Sequence, residues 1–416
     1  MYNYFMNNDK KNILIVGNGA VASALAKKFL QYSSVGHIFV TASESINCEG
    51  FEYVDIRDDD LTGLLKFVLE NDITLTVPIS ELALKSDITS FFQSNGQNIF
   101  APAVNASSNI INKVKCKKLL YKNKAQSTKF AIHSKYSQAV DYIKCANFPI
   151  IISTAEPVTS QTSSMLCVTL SQALSFVEKI FLNGEQDVLI QEYAFGADFT
   201  AYFITDGYSA IPLTTVRNFK FENDDKSGKY TNGIGCFAPD YKVSNIVLDR
   251  IQNVIQNVLN DFENRDSVYV GIIGAECVLA ENDKFYIQDL KPFLQVHDAR
   301  AVLNLCDDNL IDIITACING SFSDDYEQIK MNNCSCAGAI VSVPVSNLIE
   351  TNDENSDIDY NNVQFADGKL YSKGESSFVI TKTAGTLSRA KEKLKQELEE
   401  MQNMNIKYRK GICDKI

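Results

Sequence analysis

The amino-acid sequence predicts a multidomain protein of mixed α/β and α+β structure. The chain has 416 residues, which is enough for two or three domains of ordinary size. Its first hundred residues alternate short apolar runs with helix-forming segments, the pattern of βαβ units on a parallel sheet. After residue 103 this alternation gives way to longer helices and strands in mixed order, which indicates α+β structure.

The N-terminal domain is predicted over residues 1–103. Its strands should bury apolar runs between helices, because parallel sheets are covered on both faces. The expected strands are NILIVG (12–17), HIFVTA (37–42), ITLTVPI (73–79) and NIFAP (98–102), and the expected helices are 20–30, 61–71 and 82–96.

Two further domains are predicted, over residues 104–330 and 331–416. The middle segment begins with a lysine-rich helix, and a polar, glycine-containing stretch at 221–235 is expected to form a loop. Near the C-terminus, Leu394, Leu398 and Met401 form an i, i+4, i+7 stripe, which predicts a helix packed against a core.

Charge and composition exclude several classes of protein. Lys and Arg total 39 against 51 Asp and Glu, a net charge of −12, so no basic surface is available for nucleic acid. No export signal and no apolar stretch of spanning length is visible, so we expect no membrane association and a cytoplasmic location. The 11 cysteines lack CxxC spacing and are expected to be reduced thiols.

The first strand ends in the turn Gly17-Asn18-Gly19, directly before a helix. Glycines in this position let backbone N–H groups approach a phosphate at the helix N-terminus. Three interpretations remain open: a site for a phosphate-bearing substrate, a tight turn with a structural role, and a nicotinamide dinucleotide site. The last would need an acid at the end of the second strand, where Thr41 and Ser43 stand and Glu44 comes one residue late.

Four short sequence segments, and their order along the chain, resemble motifs of the phosphoribosylamine–glycine ligase (glycinamide ribonucleotide synthetase) family of the ATP-grasp superfamily. They span residues 12 to 412, so the resemblance covers nearly the whole chain. The segments are NILIVGNGAVASALA (12–26), VLIQEYAFGADFTAYF (188–203), TNGIGCFAP (231–239) and IKYRKGI (406–412).

This resemblance implies a Rossmann-like N-terminal (pre-ATP-grasp) domain, a central ATP-grasp domain with a lid subdomain at about 125–193, and a small C-terminal α+β domain. It also implies a reaction of de novo purine biosynthesis, in which ATP drives the joining of glycine to 5-phosphoribosylamine through a glycyl phosphate. The expected small-molecule partners are therefore ATP, glycine and phosphoribosylamine, the expected cofactors are ATP and Mg²⁺, and the expected assembly is a monomer or homodimer.

Nucleotide-binding residues are carried over from the family position by position. Lys115 takes the place of the first ATP lysine, although a solvated basic helix face is an equal alternative. Gln191, Glu192 and Tyr193 would present backbone groups to adenine, and Asp198 would accept bonds from a ribose hydroxyl. An ordinary half-buried strand is the alternative for this hinge segment.

The resemblance also implies catalytic, metal and phosphate residues. Lys220 and Asp289 would be catalytic, and Glu276 with Asp289 would hold Mg²⁺. The alternative for Asp289 is an ion pair with Lys291, because residues i and i+2 of a strand lie on one side. The N–H groups expected at the substrate phosphate belong to Gly17, Gly19, Gly233 and Gly235.

Several positions depart from the family pattern. Ser153 replaces the second ATP lysine, Ser160-Gln161-Thr162 replaces a glycine-lysine-glycine lid, and Lys291 replaces an asparagine ligand of the metal. Three hypotheses about activity follow: an impaired or diverged phosphoribosylamine–glycine ligase, an inactive pseudoenzyme that binds a nucleotide or partner, and an ATP-grasp ligase for another carboxylate and amine.

Overall fold

The chain divides into two units in the computed structural model, which describes residues 10–42, 50–156, 163–184, 187–224, 228–349 and 357–414. Unit 1 contains the residues up to 104, residues 235–237 and the residues from 295 onward. Unit 2 contains residues 105–234 and 238–294. The predicted boundary at 330 differs from this division, in which residues 295–330 belong to unit 1.

The N-terminal part of unit 1 is a parallel sheet of order β3-β2-β1-β4. This arrangement agrees with the predicted βαβ pattern. The predicted helix 82–96 is two helices, because Asp87 between them has a left-handed backbone (φ 59°). The elements are β1 (Lys11–Val16), α1 (Gly19–Phe29), β2 (Val35–Thr41), β3 (Glu52–Val54), α2 (Leu61–Glu70), β4 (Ile73–Pro78), α3 (Glu81–Lys85) and α4 (Ile88–Ser94).

Unit 2 contains two sheets. A small sheet has the order β5-β8-β6-β7, and a larger one runs β13-β12-β9-β10-β11. The elements are α5 (Val104–Ile111), α6 (Lys113–Lys122), β5 (Phe130–His133), α7 (Tyr136–Lys144), β6 (Ile150–Thr154), β7 (Ser164–Cys167), α8 (Leu170–Leu182), β8 (Val188–Glu192), β9 (Ala197–Thr205), β10 (Ala210–Phe221), β11 (Tyr230–Ala238), α9 (Asn245–Glu263), β12 (Gly271–Leu279) and β13 (Phe285–Lys291).

Each sheet of unit 2 has its own apolar core. Helices α7 and α8 cover the small sheet, and Val177 and Ile180 of α8 are buried against Ile152 and Ile190. We call this assembly, residues 130–192, the small lobe. Helix α9 covers the larger sheet with the stripe Ile251, Ile255, Val258, Leu259 and Phe262, whose helical spacing places all five side chains on one face.

The C-terminal part of unit 1 contains an antiparallel sheet of order β14-β18-β15. The predicted stripe is confirmed, because Leu394, Leu398 and Met401 are all buried. The elements are α10 (Ala299–Leu305), α11 (Leu310–Asn319), α12 (Phe322–Asp325), β14 (Ser335–Val341), β15 (Ile358–Tyr360), β16 (Val363–Ala366), β17 (Lys369–Ser372), β18 (Phe378–Ala384), α13 (Leu387–Glu400) and two 3₁₀ turns, Met401–Met404 and Lys410–Ile412.

A buried ion pair joins two segments of unit 1. The guanidinium of Arg300 donates to both oxygens of Asp359, and the Nε–Oδ2 distance is 2.7 Å. Ser23 of α1 donates a further hydrogen bond of 2.7 Å to the same carboxylate. Since both charged groups are buried, each depends on the other for its stability in the fold.

No helix within the described ranges is long and apolar enough to cross a membrane.

Candidate functional site

A cleft opens in unit 2 between the small lobe and the larger sheet, and its volume is about 580 Å³ when the open solvent at its mouth is included. Strands β6, β7 and β8 supply one wall, and β10, β11, β12 and β13 supply the other. The lining residues are Lys113, Ile151, Ser153, Ser164, Leu189, Gln191, Lys220, Tyr230, Thr231, Asn232, Glu276, Gln288, Asp289 and Lys291.

Charged side chains of alternating sign form the floor of this cleft. The Nζ of Lys291 lies 3.0 Å from Oδ2 of Asp289 and 3.3 Å from Oε2 of Glu276. The Nζ of Lys220 lies 3.4 Å from Oε1 of Glu276 and 3.9 Å from Oδ1 of Asp198. Two ammonium groups therefore bridge three carboxylates, and we call these five residues the charged cluster.

Strand pairing explains why the cluster forms. Glu276 of β12 pairs directly with Asp289 of β13, so the two side chains are cross-strand neighbours. The next pair is Cys277 with Ile287, which leaves Gln288 out of the register. Such a β-bulge turns a side chain away from its normal alternation, and here Gln288 and Asp289 both line the cleft although they are consecutive.

Ion pairing within the charged cluster shifts the pKa values of its residues. Burial would raise the pKa of Glu276, but the ammonium groups of Lys220 and Lys291 outweigh burial and lower that pKa to about 2. Burial would lower the pKa of Lys220, and the Glu276 carboxylate outweighs it, so this pKa is raised. The pKa of Lys291 is raised in the same way, against burial, by Asp289 and Glu276. All three groups are therefore charged at neutral pH.

A third lysine faces the cleft from the first turn of α6. The Nζ of Lys113 donates a 2.5 Å hydrogen bond to Oγ of Ser164, which in turn lies 2.9 Å from Oγ of Ser153. Burial lowers the pKa of Lys113, and the positive charges of Lys291 and Lys220 lower it further. Lys113 thus places its amino group close to Ser153, the position at which the family pattern has a lysine.

Two glutamines present unsatisfied polar atoms at this site. Both side-chain atoms of Gln288, Nε2 and Oε1, are buried and have no hydrogen-bond partner among the described residues, and the same holds for Oε1 of Gln191. Leaving a buried amide unpaired costs roughly 1–3 kcal/mol. One donor and two acceptors on residues that line the cleft therefore lack a partner among the described residues.

The expected hinge is brought to the cleft only in part. Gln191 lines it, whereas Glu192 and Tyr193 are not among the lining residues. The N–H of Glu192 donates to the carbonyl of Lys129, and the N–H of Tyr193 donates to that of Pro149. These two N–H groups already serve the strand pairing and the turn after it.

Of the other residues of unit 2 that were predicted for the site, some line the cleft and some do not. Lys220, Glu276 and Asp289 line the cleft, and Asp198 lies beside Lys220. Lys115 is exposed and is not a lining residue, so the structure places Lys113 and not Lys115 at the cleft. The lid substitutions at residues 160–162 lie outside the described residues.

The glycine turn of unit 1 is closed by side chains of the chain itself. The N–H of Gly17 donates a 2.7 Å hydrogen bond to Oγ1 of Thr41, and the N–H of Ala20 donates to Oδ1 of Asn361. A Cβ added to Gly19 would approach that Asn361 oxygen to 2.6 Å. In this structure, the side chains of Thr41 and Asn361 occupy the position at which a phosphate oxygen would accept hydrogen bonds.

The remaining phosphate candidates lie on β11. Gly233 is buried but is not a lining residue of the cleft. A Cβ added to Gly235, which belongs to unit 1, would lie 2.0 Å from a side-chain carbon of Ile412. Close packing therefore accounts for the glycine at 235. Sequence reasoning missed Tyr230, Thr231 and Asn232 of the same strand, which do line the cleft.

Magnesium does not fit the donor set that the resemblance implies. A Mg²⁺ ion needs oxygen ligands at about 2.0–2.1 Å and tolerates no cation between them. Here the ammonium of Lys291 lies between Glu276 and Asp289 and bonds to both carboxylates. No group of three or more His, Cys, Asp or Glu side chains in the described parts of the chain is arranged to hold a metal ion.

Comparison with known proteins shows a family relationship. The model of the phosphoribosylglycinamide synthetase N domain matches residues 11–108, and that of the synthetase's ATP-grasp (A) domain matches residues 111–290. A phosphoribosylamine–glycine ligase of Fusobacterium nucleatum is 24% identical over 424 residues, covering 96% of this chain and 97% of the relative. A bifunctional purine biosynthetic protein of Schizosaccharomyces pombe is also 24% identical over 96% of this chain, which spans 53% of that relative's length.

Solved structures agree in fold. The phosphoribosylamine–glycine ligase of Thermotoga maritima superposes with a TM-score of 0.78 at 15% identity, covering 96% of this chain and 99% of the other. Carboxyaminoimidazole ribonucleotide synthase of Aspergillus clavatus, solved with ATP, gives a TM-score of 0.66 at 11% identity over 95% of this chain and all (100%) of the other. The fold is thus the predicted combination of a Rossmann-like N-terminal domain, an ATP-grasp domain and a C-terminal α+β domain, and the chain belongs to the phosphoribosylglycinamide synthetase family.

Proposed function

We propose that this protein is an ATP-dependent ligase of purine biosynthesis that joins glycine to 5-phosphoribosylamine. One observation carries the proposal: in a chain with both family domains, three lysine side chains converge on the cleft of the ATP-grasp domain. Phosphoryl transfer depends on positioning and on neutralising phosphate charge, and lysine ammonium groups supply that neutralisation.

In this reaction a carboxylate oxygen of glycine attacks the γ-phosphorus of ATP, and the bond to the β–γ bridging oxygen breaks, which releases ADP. The amine nitrogen of phosphoribosylamine then attacks the carbonyl carbon of glycyl phosphate, and phosphate leaves with loss of one amine proton. Lys113 and Lys220 would contact the transferred phosphoryl group, and Glu276 with Asp198 would hold Lys220 in place. No step is assigned to a metal ion, because the donor set does not fit one.

The test is direct. Purified protein is mixed with ATP, glycine and phosphoribosylamine, and both ADP release and the amide product are measured. We expect turnover that depends on all three substrates, and a rate about 10²–10³ lower for Lys220→Met, the typical loss for one charge-stabilising contact. Lys242→Met, which removes an exposed lysine of the same unit, is the control. Absence of ADP release at every substrate combination would refute the ligase.

A second candidate is a pseudoenzyme that binds the nucleotide without turning it over. Ser153 favours it, because a neutral hydroxyl stands where the family pattern has a phosphate-contacting lysine. Saturable ATP binding without ADP release, with or without glycine and phosphoribosylamine, would support this candidate over the ligase. ADP release that requires a different carboxylate and amine would instead indicate an altered substrate specificity.

A further inference from the structure

We infer that the cleft binds the phosphate groups of its nucleotide without a divalent cation, with the ammonium group of Lys291 in the place of that cation. This inference rests on the proposed function, since it takes a nucleotide to be the ligand. It specifies which group neutralises the negative charge of the ligand. The resemblance implies that Mg²⁺ does so, whereas here the ammonium group of Lys291 would.

The position of Lys291 leaves no room for a metal ion between the two carboxylates. A single point, the Nζ of Lys291, lies 3.0 Å from an oxygen of Asp289 and 3.3 Å from an oxygen of Glu276. The other oxygen of Glu276 lies 3.4 Å from the Nζ of Lys220. Every carboxylate oxygen of Glu276 thus faces an ammonium group. A divalent ion that bridged the two carboxylates would have to displace Lys291 and would be repelled by it.

The charges of the cleft wall also favour a ligand that arrives without a metal ion. The charged lining residues are three lysines and two acids, and Asp198 lies 3.9 Å from Lys220, so the lysines balance the acids before any ligand arrives. A site with two free carboxylates repels a polyphosphate until a metal ion neutralises them. Here Lys291 and Lys220 together already neutralise the two acids, and Lys113, whose partner at 2.5 Å is the neutral hydroxyl of Ser164, remains to donate to a phosphate.

An unpaired side-chain amide also lines the cleft. The buried amide of Gln288, placed by the β-bulge, has neither its donor nor its acceptor satisfied by the described residues. An unpaired polar group at a cleft indicates a ligand that supplies the missing hydrogen bonds. The ammonium groups and the unpaired amide line the same cleft, so one polar, anionic ligand satisfies both.

The experiment measures ATP binding by titration calorimetry on the full chain, once in EDTA and once with Mg²⁺. We expect the two dissociation constants to agree within about threefold. In Lys291→Asn, a neutral amide replaces the ammonium and the two carboxylates lose their cation. That variant should lose at least about tenfold in ATP affinity in EDTA and recover with Mg²⁺. Lys284→Asn, an exposed lysine before the same strand, should behave as the unmodified protein.

A second experiment measures metal binding directly, in the absence of nucleotide. Mn²⁺ alone is added to the protein and its free concentration is followed by electron paramagnetic resonance. We expect no binding at this cleft by the unmodified protein and one new site in Lys291→Asn. Saturable Mn²⁺ binding by the unmodified protein that Glu276→Gln abolishes would overturn the inference.

The outcomes separate the two levels of the proposal. ATP binding by the unmodified protein that requires Mg²⁺ overturns the metal-free cleft but leaves the ligase or pseudoenzyme standing. Absence of ATP binding under both conditions refutes the nucleotide site itself, and with it both the proposed function and this inference. The inference is supported if the unmodified protein binds ATP equally well with and without Mg²⁺, and if Lys291→Asn, but not Lys284→Asn, loses ATP affinity in EDTA.

Discussion

Lys113 gives the sharpest test of the site, because Lys115 lies two residues away on the same helix and is exposed. The change is Lys113→Met, which keeps the length of the side chain and removes its charge. A hydrogen bond to a charged group contributes about 1.5–3 kcal/mol, and about 1.4 kcal/mol corresponds to a tenfold change in affinity. The dissociation constant for ATP should therefore rise roughly 10- to 150-fold.

Stability should respond in the opposite sense. Burial, followed by the positive charges of Lys291 and Lys220, lowers the pKa of Lys113, so the charged form is less favourable in the folded protein than in the unfolded chain. Removing that charge therefore should not lower the melting temperature of the free protein. A loss of ATP affinity without a loss of stability distinguishes a ligand-binding lysine from a structural one.

The assay is titration calorimetry with ATP, accompanied by thermal unfolding of each variant without ligand. Lys115→Met is the matched control, and its ATP affinity should stay within about twofold because an exposed lysine makes little difference. If Lys115→Met weakens binding as much as Lys113→Met, or if Lys113→Met leaves affinity unchanged, the assignment of Lys113 to the phosphate site is wrong.

Three further variants test the rest of the structure. Asp359→Asn leaves its buried guanidinium partner uncompensated and should lower the free energy of unfolding by about 3–5 kcal/mol in urea titrations, whereas the more exposed Asp357→Asn should cost about 0–1 kcal/mol. Gln288→Ala removes an unsatisfied buried amide, so calorimetry should show weaker ATP binding while the melting temperature does not fall. Ile255→Ala creates a cavity under α9 and should cost about 2–5 kcal/mol; a loss below about 1 kcal/mol would contradict the described core.

Local sequence patterns predicted most of the fold. Apolar runs of strand length, helix formers between them and the glycine turn after β1 are short-range signals, and a parallel sheet is the ordinary way to bury them. The helix over 82–96 was predicted as one element because its break at Asp87 depends on a left-handed backbone conformation that has no strong local signal. The predicted strand 98–102 is reduced to an isolated bridge between Ile99 and Thr76.

The candidate site was predicted less completely. Lys220, Glu276 and Asp289 were predicted from motif positions, and the structure brings all three to one cleft. Gln288 was missed because a β-bulge is a property of the pairing between two strands and is not visible in either strand alone. Tyr230 was missed for a related reason, since only the tertiary fold decides which residues of β11 face the cleft.

By itself, the sequence determined the family, the fold class and the set of charged residues available for chemistry, because motif order and hydrophobic periodicity are carried by the chain directly. Only the tertiary structure decided which charges meet. The lysines of the KVKCKK segment look equivalent in sequence. The N-cap of α6 at Asn112 and the packing of the helix's apolar face turn Lys113 toward the cleft and Lys115 toward solvent. Likewise, the pairing of β12 with β13 brings Glu276 and Asp289 together, with Lys291 between them. The ammonium group of Lys291 offsets the repulsion between the two carboxylates.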